Sequence, residues 1–296
     1  MSHPSRRRVI IDTDAKNEAD DQYAIVHALL SPTLDVRGLI PAHFGTERSD
    51  RSMAESRAEV DLLLELMDLD GRVTVADGAE AAIPDEATPA PSAGAELIIA
   101  ESKLASAGDP LFVAFLGPLT DMASAILLDP EIVDRPVVVV WIGGMGYGVD
   151  WSYPAVEFNL RNDIPAANVV FDSGIAVWQV PASIYSMVSV GYAELEEKIG
   201  GTSKLADYLI TQLVEWNAEH NGEPIEHRSL GDSPAISLIL NPRGGVSRTI
   251  PAPRFGREGG YLPGSGHPLK VFETVDVRYL LEDMFAKIRK FGRDQA

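Results

Sequence analysis

The 296-residue sequence contains no cysteine, which excludes disulfide bonds, thiolate metal ligands and a cysteine nucleophile. It also lacks a long apolar stretch, because its longest run, 137–144, is far shorter than the roughly 18 residues of a membrane-spanning helix. Basic residues are few: 25 Lys and Arg stand against 44 Asp and Glu, a net charge of −19. Because phosphate-rich partners bind basic surfaces, we expect no nucleic-acid and no membrane partner.

The first residues do not have the pattern of a secretory signal. The basic segment 1–8 is followed by only three apolar residues, Val9–Ile11, before Asp12 interrupts them. A signal peptide would continue with a longer apolar region. We therefore expect a cytoplasmic protein. Since no linker or repeat divides the chain, we also expect a basic N-terminal tail over 1–8 and a single domain over 9–296.

Short segments rich in β-branched residues alternate with helical patterns along the sequence. Hydrophobic residues make up 45% of the chain, enough for a substantial core. The predicted strands are Val9–Ile11, Val36–Ala42, Val73–Ala76, Leu111–Leu116, Val137–Ile142 and Ala176–Pro181. This alternation predicts one α/β domain of Rossmann-like type, with a mostly parallel twisted sheet flanked by helices.

A dense group of acidic residues follows the first predicted strand, at the sheet edge where α/β proteins bind ligands. Its five carboxylates lie within ten residues: Asp12, Asp14, Glu18, Asp20 and Asp21. Carboxylates this close repel one another unless something neutralises them. Helix capping would explain Asp20 and Asp21, but it would not explain Asp12 and Asp14. The cluster therefore predicts a site for a hard cation, Ca²⁺ or Mg²⁺.

Three further polar segments follow later elements. Leu116 ends a strand and could present its backbone carbonyl to the cation. Glu157 and Asn159 are two residues apart, so in an extended segment they point to the same side, as a sugar-binding pair would. An ordinary polar loop explains this pair equally well. Asp232 precedes an apolar helix, and taken alone it is better explained as the helix N-cap.

Taken together and in order, these segments resemble the motifs of the inosine–uridine-preferring nucleoside hydrolases. The matching segments are Ile11–Asp21, Gly117–Asp121, Ile142–Gly144, Glu157–Ala167 and Gly231–Asp232. The resemblance implies a single α/β domain, assembly as a homodimer or homotetramer, and a tightly bound Ca²⁺. The implied reaction hydrolyses the N-glycosidic bond of a ribonucleoside, or a related N-riboside, to ribose and free base. The implied nucleophile is a water that the cation holds and Asp14 deprotonates.

The resemblance also implies a role for each matching residue. The implied metal site comprises Asp14, Asp21, Asp232 and the carbonyl of Leu116, with Asp12 supporting it from behind. The implied ribose-binding residues are Asp20, Glu157 and Asn159. Asp14 is, in addition, the implied general base.

This sequence departs from the family pattern at positions that bear on the substrate. The loop from Asp14 to Asp20 is two residues longer, which makes Asn17 a further candidate for substrate binding. Gly231 stands where family members carry a histidine that protonates the leaving base. The candidates to replace this acid are His43, His227 and Tyr147. Trp151 is a candidate to stack on the base.

Two alternatives stay open on the sequence. One is a calcium-dependent sugar- or nucleoside-binding protein with weak or no catalysis. It is suggested by Gly231 and by Gly45, which stands where the family carries a ribose-binding asparagine. The other is a haloacid-dehalogenase-like phosphatase, which also places Asp-x-Asp after its first strand. That motif is followed by Thr or Val where this sequence has Lys16, so the phosphatase is the weaker alternative.

Overall fold

The computed structural model describes residues 6–148 and 156–295. Its strands are β1 (Arg7–Thr13), β2 (Leu34–Pro41), β3 (Leu111–Phe115), β4 (Val137–Ile142), β5 (Ala176–Val180), β6 (Ser189–Gly191), β7 (His227–Ser229), β8 (Ser247–Pro251), β9 (Arg254–Phe255), β10 (Tyr261–Leu262) and β11 (Pro268–Phe272). Its helices are α1 (Asp21–Leu29), α2 (Ser52–Leu66), α3 (Ala93–Ser102), α4 (Thr120–Leu128), α5 (Phe158–Asn162), α6 (Ile164–Asp172), α7 (Ala182–Tyr185), α8 (Tyr192–Ile199), α9 (Lys204–His220), α10 (Ser233–Leu240) and α11 (Val277–Gln295).

The central sheet has seven strands in the order β2-β1-β3-β4-β5-β11-β8. Every neighbouring pair in it is parallel except β11 and β8, which are antiparallel. Helices cover both faces of this sheet, and each face has its own apolar cluster. Along β1, Val9 and Ile11 belong to one cluster and Ile10 to the other, as the alternation of a strand buried on both faces requires. The predicted α/β fold with a mostly parallel sheet is confirmed.

The strand register brings the carboxyl ends of the central strands to one edge. Asp12 of β1 pairs with Phe115 of β3, and Phe115 pairs with Trp141 of β4. The residues that follow these strands, including Asp14 and Leu116, therefore meet at the same edge of the sheet. In the part of the chain that the structure describes, no helix is long and apolar enough to cross a membrane.

Two details differ from the sequence-based expectation. The predicted strand Val73–Ala76 forms only an isolated bridge between Val75 and Leu39, because the chain makes two hydrogen bonds to Leu39 and then leaves the sheet. The first two residues of β1, Arg7 and Arg8, lie within the segment 1–8 that was expected to be a tail. Arg8 is buried in β1 because its guanidinium pairs with the carboxylate of Glu101, which compensates the charge.

Candidate active site

The candidate site lies at the edge where the carboxyl ends of β1, β3 and β4 meet. The loop after β1 carries Asp14 and Asp20, and Asp21 is the first residue of α1. Leu116 directly follows β3, and Asp232 directly precedes α10. A small cavity of about 50 Å³ is lined by all five of these residues. The structure thus brings together residues that are more than 200 positions apart in the sequence.

Three carboxylates form the centre of this group. Asp20, Asp21 and Asp232 each offer an oxygen, and these atoms all lie within 4.8 Å of one another. All three side chains are buried. Burial raises the pKa of Asp20 to about 7 and that of Asp21 to about 6, and it raises the pKa of Asp232 well above its usual range. A bound cation would reverse these shifts, because it favours the charged carboxylates.

Asp14 lines the small cavity together with these three carboxylates. Its side chain is only 1% exposed, and Oδ2 is buried without a hydrogen-bond partner among the described residues. Burial, together with the charge of Asp21, raises the pKa of Asp14 well above its usual range. An unpartnered buried carboxylate oxygen beside three other carboxylates is what an oxygen-liganded cation site requires. The residues present therefore fit a divalent metal ion.

Leu116 lines the same cavity, and its carbonyl accepts a hydrogen bond from Nδ2 of Asn159 over 2.6 Å. The same amide nitrogen donates to the carbonyl of Ile142 over 2.9 Å. Asn159 thereby ties β3 to β4 at their carboxyl ends. Since its nitrogen is committed to these strands, Oδ1 is the atom that Asn159 has left for a ligand in the cavity.

Glu157 is surrounded by donors. Its carboxylate accepts hydrogen bonds from the backbone N–H groups of Gly144, Asn159 and Leu160, and from the hydroxyl of Tyr185, at 2.7–3.1 Å. These four donors match the roughly four acceptor positions of a carboxylate. Glu157 therefore caps α5 and fixes Tyr185, and it lines the small cavity as well.

A second cavity of about 280 Å³ adjoins the acidic site. This volume is close to the lower end of the roughly 300–1,000 Å³ typical of small-molecule pockets. The two cavities share the lining residues Glu18, Asp20, Glu157, Phe158, Tyr185 and Gly231. Arg228 and His227 of β7 line the larger cavity only. A ligand could therefore place one end at the carboxylates and the other among the aromatic rings.

The inserted residues after Asp14 are held firmly in place. Asn17 lines the small cavity, and its backbone carbonyl accepts hydrogen bonds from Arg48 at 2.7 Å and from the indole of Trp216 at 3.1 Å. The carboxylate of Glu18 pairs with the guanidinium of Arg228. The longer loop is therefore clamped by residues from distant elements, and both of its extra polar side chains reach the site.

Two of the proposed replacements for the histidine acid lie elsewhere. His43 is fully buried, with Nε2 2.8 Å from the hydroxyl of Thr120 and Nδ1 accepting from the N–H of Gly45. Burial lowers the pKa of His43 to about 4, so the ring is neutral. Tyr147 donates to Gln179 over 2.7 Å and stacks on Tyr261. His43 and Tyr147 line neither cavity, because their hydrogen-bond partners hold both side chains away from the site.

Three predicted site residues remain, and they are His227, Asp12 and Trp151. His227 lines the larger cavity and is exposed. Asp12 lies behind the site, fully buried, and lines neither cavity. Burial and the neighbouring carboxylate of Asp121 raise the pKa of Asp12 well above its usual range. Trp151 lies outside the described residues.

Sequence reasoning missed three residues that line the larger cavity: Phe158, Tyr185 and Arg228. Tyr185 lies in α7, directly after the carboxyl end of β5, where the sequence analysis predicted no site residue. Phe158 lies between Glu157 and Asn159, and an apolar residue inside this polar motif gives no sign of a binding role. Arg228 carries no sequence signal, because its place depends on how β7 folds back towards the loop after β1.

Comparisons with known proteins show which family the chain is similar to. Residues 9–279 match the family model described as inosine-uridine preferring nucleoside hydrolase. The chain is 30% identical to "Probable uridine nucleosidase 2" of Arabidopsis thaliana, over 71% of this chain and 69% of that protein. It is 28% identical to the pyrimidine-specific ribonucleoside hydrolase RihA of Citrobacter koseri, over 79% of each.

Solved structures share the fold. A plant nucleoside hydrolase, the PpNRh1 enzyme, has a TM-score of 0.78 at 22% identity, covering 97% of this chain and 99% of that one. A purine-preferring ribonucleoside hydrolase from Gardnerella vaginalis has a TM-score of 0.77 at 19% identity, covering 97% of this chain and all of that one. With the match over residues 9–279, the chain belongs to the inosine-uridine preferring nucleoside hydrolase family, and it is a nucleoside N-ribohydrolase.

Proposed function

We propose that the chain hydrolyses a ribonucleoside, with uridine as its first candidate substrate, across the two adjoining cavities. The observation that carries this proposal is the buried group of carboxylates beside a cavity lined by aromatic rings. Uridine is chosen because relatives at 28–30% identity are named for uridine or pyrimidine ribonucleosides. Family membership overturns the phosphatase alternative, and the binding-protein alternative becomes an outcome of the test below.

Ca²⁺ is the cation that we propose for the acidic site. Asp14, Asp21, Asp232 and the carbonyl of Leu116 would hold it, since all of them line the small cavity and all offer oxygen. Ca²⁺ prefers six to eight oxygen ligands, and substrate hydroxyls and water would fill the positions that the protein leaves. When bound, the ion would orient the nucleophilic water and lower the pKa of this water.

Asp14 is the general base in this proposal. Its Oδ2 has no hydrogen-bond partner among the described residues and is available to accept a proton, and a neighbouring cation would keep the carboxylate ionised at neutral pH. The water oxygen forms a bond to C1′ of the ribose as its proton passes to Asp14. The C1′–N bond breaks at the same time, and its electron pair leaves with the base.

The sugar is held by Asp20 and Asn159. The carboxylate of Asp20 accepts a hydrogen bond from the N–H of Gly231 over 2.8 Å, which fixes its orientation and leaves acceptor capacity for a ribose hydroxyl. Oδ1 of Asn159 is the second acceptor, and Asn17 lies at the same cavity as a third polar group. Glu157 acts mainly by positioning Tyr185 and Asn159, because four protein donors already surround its carboxylate.

We also propose that the protein works in the cytoplasm as a homodimer or homotetramer, with 9–296 as one domain. These proposals rest on the family resemblance. Sedimentation of the purified full chain would give the number of subunits. A monomer at micromolar concentration would contradict the oligomer.

The test of the function measures ribose release from uridine by metal-stripped protein, with and without added Ca²⁺. Asp14→Ala is the variant that should lose activity, and Asp294→Asn, an exposed change near the end of α11, is the matched control. Calcium-dependent release by the control and not by Asp14→Ala would support the proposal. Binding of uridine without any ribose release would instead favour the binding-protein alternative.

A further inference from the structure

Arg228 contributes a fixed positive charge to the larger cavity. It is the only Lys or Arg among the described residues that line this cavity, and its side chain is 11% exposed. Three carboxylates line the same cavity: Glu18, Asp20 and Glu157. A neutral base can enter a cavity lined by carboxylates. A base that gains negative charge would be repelled by them unless a cation offsets their charge.

The guanidinium of Arg228 is held in a defined place. Nη1 donates to Oδ1 of Asn217 over 3.0 Å, and Nη2 donates to the carboxylate of Glu18. The group also lies 3.9 Å from the centre of the Trp216 ring, a cation–π contact. These contacts use two of the five N–H donors of an arginine, and Nε has no partner among the described residues. A cation fixed in this way loses little energy in reorganising when charge develops nearby.

Position 231 has no side chain that could protonate the leaving base, because Gly231 replaces the histidine of other family members. A Cβ atom on Gly231 would lie 2.9 Å from Cδ2 of Tyr185 and 3.2 Å from Oδ2 of Asp20. The ring of Tyr185 therefore occupies the space that a side chain at 231 would need. Since internal partners hold His43 and Tyr147 away from the cavity, neither can protonate the base there.

We propose that Arg228 contacts the departing base and stabilises it as an anion, in place of a proton donor. This inference rests on the proposed function. As water attacks C1′ and gives its proton to Asp14, the electron pair of the C1′–N bond leaves with the base. The base then takes a proton from solvent after it is released. The arrangement selects bases with a carbonyl oxygen conjugated to the leaving nitrogen, such as uracil, because that oxygen carries the charge to the guanidinium.

The dependence of the rate on the leaving group tests this role. kcat/KM is measured with uridine and with para-nitrophenyl riboside, whose nitrophenolate is stable as an anion without help. Arg228→Met keeps an apolar stem against Trp216 but removes the charge. We expect a loss of about 100-fold with uridine and a much smaller loss, below about fivefold, with the nitrophenyl substrate.

Arg228→Lys is the second variant, and it keeps the charge while losing the planar fork. We expect it to lose about tenfold with uridine and to leave the nitrophenyl substrate almost unaffected. Arg57→Met removes an arginine that pairs with Asp61 and Asp77 on the surface, and it serves as the matched control. If Arg228→Met does not fold, the ratio of the two substrates in Arg228→Lys still decides the question.

Three results would overturn the inference. Equal losses with both substrates would mean that Arg228 only holds the loop of Glu18 in place. Unchanged kinetics with both substrates would mean that Arg228 has no part in the reaction. A selective loss with uridine in His227→Gln, and none in Arg228→Met, would identify His227 as the acid. By contrast, wild-type protein that cleaves neither substrate would refute the proposed function itself.

Discussion

The hydroxyl of Tyr185 donates a hydrogen bond to Oε1 of Glu157 over 2.9 Å. This bond joins the segment after β5 to the start of α5, across the wall that the two cavities share. Glu157 also accepts from the backbone N–H of Asn159. The position of Asn159, a proposed ribose ligand, is therefore coupled to Tyr185, which also lines the larger cavity.

Tyr185→Phe should lower kcat/KM for uridine about tenfold, the equivalent of one hydrogen bond to a charged group at about 1.5 kcal/mol. The folded state should lose little stability, because Glu157 keeps its three backbone donors. Steady-state kinetics and thermal unfolding of the same sample measure both quantities. A tenfold loss accompanied by a large fall in melting temperature would instead mean that the variant loses the folded structure around Glu157.

Gly231 should not tolerate even one methyl group. Because the added Cβ of Gly231→Ala would lie 2.9 Å from Tyr185, either the ring or the backbone must move, at a cost of about 1–3 kcal/mol. We expect lower free energy of unfolding in urea and weaker uridine turnover. Gly222→Ala is the control, since nothing lies within 4 Å of a Cβ there. Equal stability of the two variants would contradict this account of position 231.

Calcium should stabilise the folded protein through the acidic site. A ligand that binds only the folded state adds about 2.7 kcal/mol at a concentration 100 times its Kd. Differential scanning fluorimetry of metal-stripped protein should therefore show a rise in melting temperature with Ca²⁺. Asp232→Asn should remove most of that rise, because it removes one of the clustered carboxylates. The exposed control Asp294→Asn should keep it. A rise that survives in Asp232→Asn would place the ion elsewhere.

Five of the six strands predicted from the sequence form in the structure, and there is a physical reason for this agreement. β-Branched runs such as Val137–Ile142 can be buried on both faces only in a covered parallel sheet, and such a sheet brings its carboxyl strand ends together. Asp14 and Leu116, which follow β1 and β3, therefore meet at one edge of the sheet, whereas Asp232 reaches that edge from the start of α10. The predicted strand Val73–Ala76 forms only a bridge at Val75, because the residue types of so short a segment do not reveal how many hydrogen bonds it makes.

The lining of the larger cavity was much harder to predict from the sequence. Tyr185 and Arg228 reach the cavity from α7 and β7, two short elements with no periodic pattern of their own. His43 was a reasonable candidate because it follows β2, yet its ring points to Thr120 and away from both cavities. Sequence position identifies which strand end a residue follows, but the direction of its side chain depends on partners that packing alone supplies.

The buried ring of His43 should make the protein sensitive to acid. Its pKa falls to about 4 in the folded state, against a usual value near 6.5, because burial disfavours the charged form. Protons therefore bind the unfolded chain more tightly. The stabilisation is fully present above pH 6.5 and is lost as the pH falls towards 4, by up to about 3 kcal/mol.

His43→Gln cannot take up this proton, so its unfolding free energy should fall less steeply in acid. We expect the variant to be less stable than the wild type at pH 7.5, where it lacks the fitted imidazole between Thr120 and Gly45. The difference should shrink on approaching pH 4.5, because only the wild type then carries the cost of protonating a buried ring. Urea unfolding of both proteins at the two pH values measures this difference. A difference that stays constant would show that His43 does not titrate between the folded and unfolded states.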